Sequence, residues 1–228
     1  VPYVSLDQPR GVVLFYSSAQ ANPIGFVELE VTDPSSTPAD KFSIQVFSPS
    51  GALLTLSNGQ TTAWFGNQNG TTGGRSRVSA AFAASQLAAA NATGAWTVNV
   101  EVKSHWPDHS TATTVPVRVL VVDRRSSPYG AGWTIAGVQR LHPVTGGMLV
   151  DEADGSVRFF AGSQAGGYAA SVGDHSTLSY ANSRYTRRYP DGSGAEFSAA
   201  GVLLYTWNAA SEADTLVKSR LPARLSTE

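Results

Sequence analysis

The feature that most limits this chain is a period of two in its apolar residues. Val27, Leu29 and Val31 alternate with Glu28, Glu30 and Thr32, and Phe42, Ile44 and Val46 alternate with Ser43 and Gln45. Trp96, Val98, Val100 and Val102 alternate with Thr97, Asn99, Glu101 and Lys103. Successive side chains of a strand leave opposite faces, so each run predicts one buried and one wet face. Val12 to Tyr16 is a shorter apolar run. Val115, Val117, Val119 and Val121 share a face whose reverse carries Arg118 but also Leu120 and Val122. Pro34, Pro38, Pro49, Gly51, Asn58-Gly59 and Gly94 punctuate the runs as turns require. The spacing predicts an all-β fold, with an immunoglobulin- or fibronectin-like β-sandwich over residues 1–123. Residues 78–90 are alanine-rich and are expected to begin as a strand and finish as a helical turn. Residues 66–74 read as a polar loop that lacks the strand–helix context of a phosphate cradle.

Composition narrows the function classes. The chain has 228 residues, 42% of them apolar and 14% charged, which is enough apolar matter for a core. A formal net charge of -1 offers no long basic surface for nucleic acid or anionic lipid. The absence of cysteine excludes disulfides, thiol catalysis and Cys-ligated metals. No run approaches the roughly 20 apolar residues of a membrane-spanning helix. The chain opens on Val1-Pro2 without Met and is expected to be a processed or trimmed piece. Its weakly charged, Ser/Thr-rich surface, with lysine only at Lys41, Lys103 and Lys218, predicts a secreted or cell-surface location. Asn69-Gly70-Thr71 and Asn91-Ala92-Thr93 match the N-glycosylation pattern, which short polar triplets also meet by chance.

After Asp123 the character changes, and residues 124–228 read as a β-hairpin domain. Asp154-Gly155 is a strong turn signal between two strands, and Asp191-Gly192 repeats the theme. Aromatic residues and Asp-Gly turns recur here at what reads as irregular spacing, as hairpins too small to stand alone. Residues 162–173 read as a longer loop anchored by Tyr168. Arg184, Arg187 and Arg188 form a basic patch that a strand would split across two faces, so salt bridges or a wet face are expected there rather than nucleic-acid contact.

These residues carry a resemblance. The segment SPYGAGWTIAG at 127–137, followed by Leu141-His142-Pro143, Leu149-Val150-Asp151 and Asp154-Gly155-Ser156 with Phe159, resembles the opening motif of the bacterial RHS/YD-repeat family. YTRRYPDGSGAEF at 185–197 and residues 201–205 are similar to the hairpins that precede the repeats, and VVLFYSS at 12–18 to a strand near the start of such proteins. The resemblance implies a segment N-terminal to a hollow β-shell of a large secreted or surface polypeptide, the shell enclosing a toxic cargo. It assigns structural roles: Gly130, Gly132, Gly155 and Gly192 in tight turns with Asp154 and Asp191, and Trp133 packed beneath the glycines. Trp207-Asn208-Ala209 departs from the family pattern, and the chain ends before any repeat array.

Sites of chemistry are sparse. His105-Trp106-Pro107-Asp108-His109 is the densest polar–aromatic cluster; His105, Asp108 and His109 could ligate a metal or form an ordinary loop held by Trp106. Asp151 and Asp154 with Ser156 could take calcium, though without EF-hand spacing. Trp64, Trp106 and Trp207 lie near turns and are candidates for stacking on a sugar, while Trp96 and Trp133 read as core. No Gly-x-Ser-x-Gly elbow is present, and the close carboxylates Asp151, Glu152 and Asp154 read as an acidic turn. No cofactor is expected. The expected function is a non-catalytic structural or assembly segment, partnered by the remainder of a larger polypeptide. A carbohydrate- or protein-binding module comes second and a secreted glycoside hydrolase or other hydrolase third.

Overall fold

A computed structural model describes residues 3–6, 11–32, 37–67, 70–71, 73–87, 93–152 and 154–209. The sequons at Asn69 and Asn91 lie outside the described residues. The chain divides into two compact units, Val1–Gly132 and Trp133–Glu228, so the linker expected to open the second domain at residue 124 belongs to the first unit.

The first unit contains β1 (Tyr3–Leu6), β2 (Val12–Tyr16), β3 (Ile24–Thr32), β4 (Lys41–Phe47), β5 (Ala63–Gly66), β6 (Arg75–Ala83), β7 (Gly94–His105) and β8 (Ser110–Asp123). They form a three-stranded sheet in the order β1-β3-β6 and a five-stranded sheet in the order β2-β8-β7-β4-β5. All neighbours are antiparallel except β2, which runs parallel to β8 from Val12↔Val119 to Tyr16↔Asp123. This division of the first two strands between opposite sheets, with β7 between β4 and β8, is the strand order of an immunoglobulin-like sandwich. The period of two explains it. Val27, Leu29 and Val31 of β3 and Val78, Ala80 and Phe82 of β6 close against Phe42, Ile44 and Val46 of β4 and against the inward valines of β7 and β8. Each such buried side chain contributes about 1.5–3 kcal/mol relative to exposure. Leu120 and Val122, on the reverse face of β8, are buried as well. Beyond Ala83 the alanine-rich stretch turns into one 3₁₀ turn, Ala84–Gln86, as expected from its lack of a helical face.

The second unit is a run of antiparallel meanders: β9 (Arg140–Val144), β10 (Gly147–Asp151), β11 (Val157–Ser163), β12 (Gly167–Ala170), β13 (Thr177–Ala181), β14 (Arg184–Arg188), β15 (Gly194–Ser198) and β16 (Leu203–Trp207). Two four-stranded sheets result, β12-β11-β10-β9 and β13-β14-β15-β16. Residues 162–173, expected as one loop, instead carry the end of β11, a turn and β12.

The spacing in this unit is regular, contrary to the sequence reading. Strand β9 recurs 37 residues later as β13 (Arg140 to Thr177), and β10 recurs at the same offset as β14. Register follows. Met148 lies opposite Pro143 and Phe160, and its counterpart Tyr185 lies opposite Tyr180 and Phe197. Leu141, Met148 and Phe160 therefore correspond to Leu178, Tyr185 and Phe197, and all six share one core. Asp154-Gly155-Ser156 corresponds to Asp191-Gly192-Ser193. The meanders also meet where Arg140 bridges to Val202 and the Leu141 N–H donates to the Gly201 carbonyl at 2.9 Å. Each meander is a half that buries its apolar face against the other.

Among the described residues, no helix is long and apolar enough to cross a membrane.

Candidate functional site

The densest group of exposed aromatic and charged side chains lies on the outer face of β4, β5 and β7. Alternation places Trp64, Lys41, Ser43, Lys103 and His105 on this face, opposite the core-facing Phe42, Ile44 and Val102. Ser43 is opposite Trp64 on one side and Lys103 on the other, and Lys41 is opposite His105. Trp64 is 56% exposed, although the His105 ring lies 4.9 Å away and the Lys41 Nζ stands 4.7 Å over the indole. Lys103 is paired with Glu101 at 2.9 Å. Burial and the charges of Lys41 and Lys103 together hold the His105 pKa below its ordinary value.

The same face brings a serine to a histidine: Ser43 Oγ and His105 Nε2 are 2.8 Å apart. This geometry invites a nucleophile–base reading. However, Ser43 is only 3% exposed, in the middle of a strand paired on both sides. Those ladders occupy the backbone N–H groups that an oxyanion hole would need. The bond instead holds the imidazole against Trp64.

The remaining sequence candidates are placed as follows. Trp106 stacks on His109 at 4.5 Å and donates its indole N–H to the Thr37 carbonyl at 2.8 Å. His109 bonds the exposed Asp108 at 2.7 Å, and this bond leads the causes that lower the Asp108 pKa. Asp108 and His109 thus pair with each other, while His105 is engaged separately by Ser43. Among the described residues, no three His, Asp or Glu side chains are placed to hold a metal ion. Asp151 is buried in β10, whereas Asp154 stands exposed in the turn beyond it and accepts from the Ser156 N–H and hydroxyl. Trp207 donates to the Gly192 carbonyl at 3.2 Å and lies over Gly194, so it covers a turn. Gly130, Gly132, Gly155 and Gly192 all have positive φ. Trp133 is a correction: it is 71% exposed rather than packed beneath the glycines. Trp96 is partly buried against the core.

Sequence reading missed a buried charge network in the second unit. Arg187 is 2% exposed and does not belong to a wet basic patch. It donates to Glu152 at 2.7 Å and to the Ser176 hydroxyl at 3.1 Å, and approaches Asp174 at 3.5 Å. Arg158 lies 3.5 Å from Glu152, and Gln139 bridges Glu152 to the Tyr189 hydroxyl. Burial raises the Asp174 carboxyl, but the Ser176 bonds and the charges of Arg187 and Arg158 outweigh it and leave the pKa below its ordinary value. A signal existed: Asp174-His175-Ser176 forms the same Asp-to-Ser turn as Asp154 and Asp191.

No protein-family profile matches the chain, and no curated protein matches it. Solved structures similar to it include the Escherichia coli chaperone DraB, at 14% identity over 73% of this chain and 95% of that one, with a TM-score of 0.33. The YadV chaperone is similar at 11% identity over 89% and 96%, with a TM-score of 0.28. The periplasmic chaperone SfaE is similar at 12% over 90% and 98%, with a TM-score of 0.26. At these scores they carry no argument, and the sandwich assignment rests on the strand order.

Proposed function

We propose that this chain is a non-catalytic structural or assembly segment of a larger secreted or cell-surface polypeptide, capping or leading into a β-shell of the RHS/YD kind. The observation that carries this reading is the tandem meander: two units in one register, with the same Asp-Gly-Ser turn and a shared core. Repetition of a hairpin unit that cannot bury its own apolar face is how extended β bodies grow. The repeated region coincides with the residues that resemble the family, and the charged residues of its interior are engaged with one another. Limited proteolysis of the native parent polypeptide, with intact-mass mapping, tests the reading. The segment should stay with a large resistant body after nicking. Its release as a soluble monomer ending near Glu228 would overturn an obligate wall or cap role.

A second reading, a carbohydrate- or protein-binding module, is favoured by one specific observation, the exposed indole of Trp64 beside Lys41. The hydrolase reading has no comparable support, since Ser43 is buried in a strand paired on both sides.

A further inference from the structure

Two of the chain's three lysines, Lys41 and Lys103, stand on neighbouring strands of one sheet face. Lys41 is opposite His105, Lys103 is opposite Ser43, and Ser43 lies between Lys103 and Trp64. With Glu101 paired to Lys103, Lys41 is the cation of this face that, among the described residues, no carboxylate on it offsets at salt-bridge distance. Glu101 offsets Lys103, while Lys41 lies over the indole. Trp64 sits on the short edge strand β5 with more than half its surface in water. Core packing does not account for it, because its neighbour Phe65 faces the core instead. Ser43 holds His105 in place from below, so the platform is preorganised. Two residues from Ser43 along the same face, Gln45 on β4 donates its amide to the Thr62 hydroxyl just before β5 at 2.9 Å.

A flat, exposed indole suits the apolar face of a pyranose ring, and a bordering cation suits an anionic substituent on that ring. We propose that this face binds an acidic saccharide, a glycan whose ring carries a carboxylate, with the ring laid on Trp64 and the carboxylate directed to Lys41. A saccharide is favoured over an acidic peptide because the platform is a single planar ring with an amide and a hydroxyl further along the same face. The inference rests on the binding-module reading and names its ligand class.

Calorimetric titration of the full chain tests it. The probes are oligomers of galacturonate, alginate and hyaluronan, a neutral cello-oligosaccharide of matched length, and inorganic phosphate. An acidic oligomer should bind at least about tenfold tighter than the neutral one, and Trp64→Ala should weaken it by about tenfold or more, the loss of one well-formed contact. Lys41→Met should cost roughly three- to fivefold and flatten the salt dependence. Trp133→Ala, at an exposed tryptophan of the other unit, should change nothing, and melting curves confirm that each variant is folded. Equal binding of acidic and neutral oligomers through Trp64 would overturn the acidic class and leave the binding reading standing. Phosphate binding as tight as any saccharide would overturn sugar recognition. Binding that survives Trp64→Ala would overturn the site, and no binding by any saccharide would overturn both the class and the carbohydrate arm of the reading beneath it.

Discussion

Gly132 shows what a single missing side chain permits. Its φ is +89°, and a Cβ there would lie 2.6 Å from the Cβ of Ser17, while its N–H donates to the Arg124 carbonyl at 2.8 Å. Gly132→Ala should destabilise the first unit by about 1–3 kcal/mol through strain and crowding, measured by denaturant unfolding. Arg187 is the opposite case, a charge kept where its counterpart in the preceding meander is Val150. Arg187→Ala would leave Glu152 and Asp174 with only the more distant Arg158 between them, and should cost up to about 3–5 kcal/mol. The same network sets the acid limit. The Asp174 pKa lies below its ordinary 3.8, so its contribution is complete at neutral pH and is lost as pH falls below that value. Acid unfolding of the second unit should therefore shift to higher pH in Asp174→Asn, as followed by circular dichroism. The Ser43–His105 contact was not legible beforehand, and of the network only the Asp174-to-Ser176 turn was. Ser43 reads as an ordinary wet position of an alternating strand, and its burial comes from Trp64 and His105 on other strands. Arg187 draws its partners from two separate loops, Glu152 after β10 and Asp174 and Ser176 before β13, a convergence that the turn alone does not announce.

At the scale of elements, alternation made β3, β4 and β7 readable because each buries mainly one face, and Asp-Gly marked the turns between β10 and β11 and between β14 and β15. The constant offset between the meanders was hidden because equivalent positions keep their role rather than their residue: Met148 against Tyr185, Val150 against Arg187. The turns differ in the same way. Thr145-Gly146 corresponds to Asn182-Ser183, where Asn182 and Ser183 have φ of 52° and 59°. This left-handed backbone is costly for serine and free for glycine, and Asn-Gly is the favoured pair for such a hairpin. Ser183→Gly should raise stability by up to about 1 kcal/mol, read as a higher melting temperature with unchanged circular dichroism. A fall would mean that the Ser183 side chain makes a contact that its turn geometry does not require.

Over the whole molecule, two cores with no residue in common predict two unfolding events. Scanning calorimetry of the full chain should resolve two transitions, with Arg187→Ala lowering one and Gly132→Ala the other. A single transition moved by both would show that the units unfold as one. The parallel pairing of β2 with β8 has a mechanical consequence. These strands are neighbours in space but come from near the start and the end of the sandwich's sequence, and they run in the same direction over five matched pairs, from Val12↔Val119 to Tyr16↔Asp123. Tension applied between them along the strand axis loads that whole ladder in shear instead of peeling it one bond at a time. A sandwich joined in this way can transmit a pull along a tethered polypeptide while its own strands stay in register.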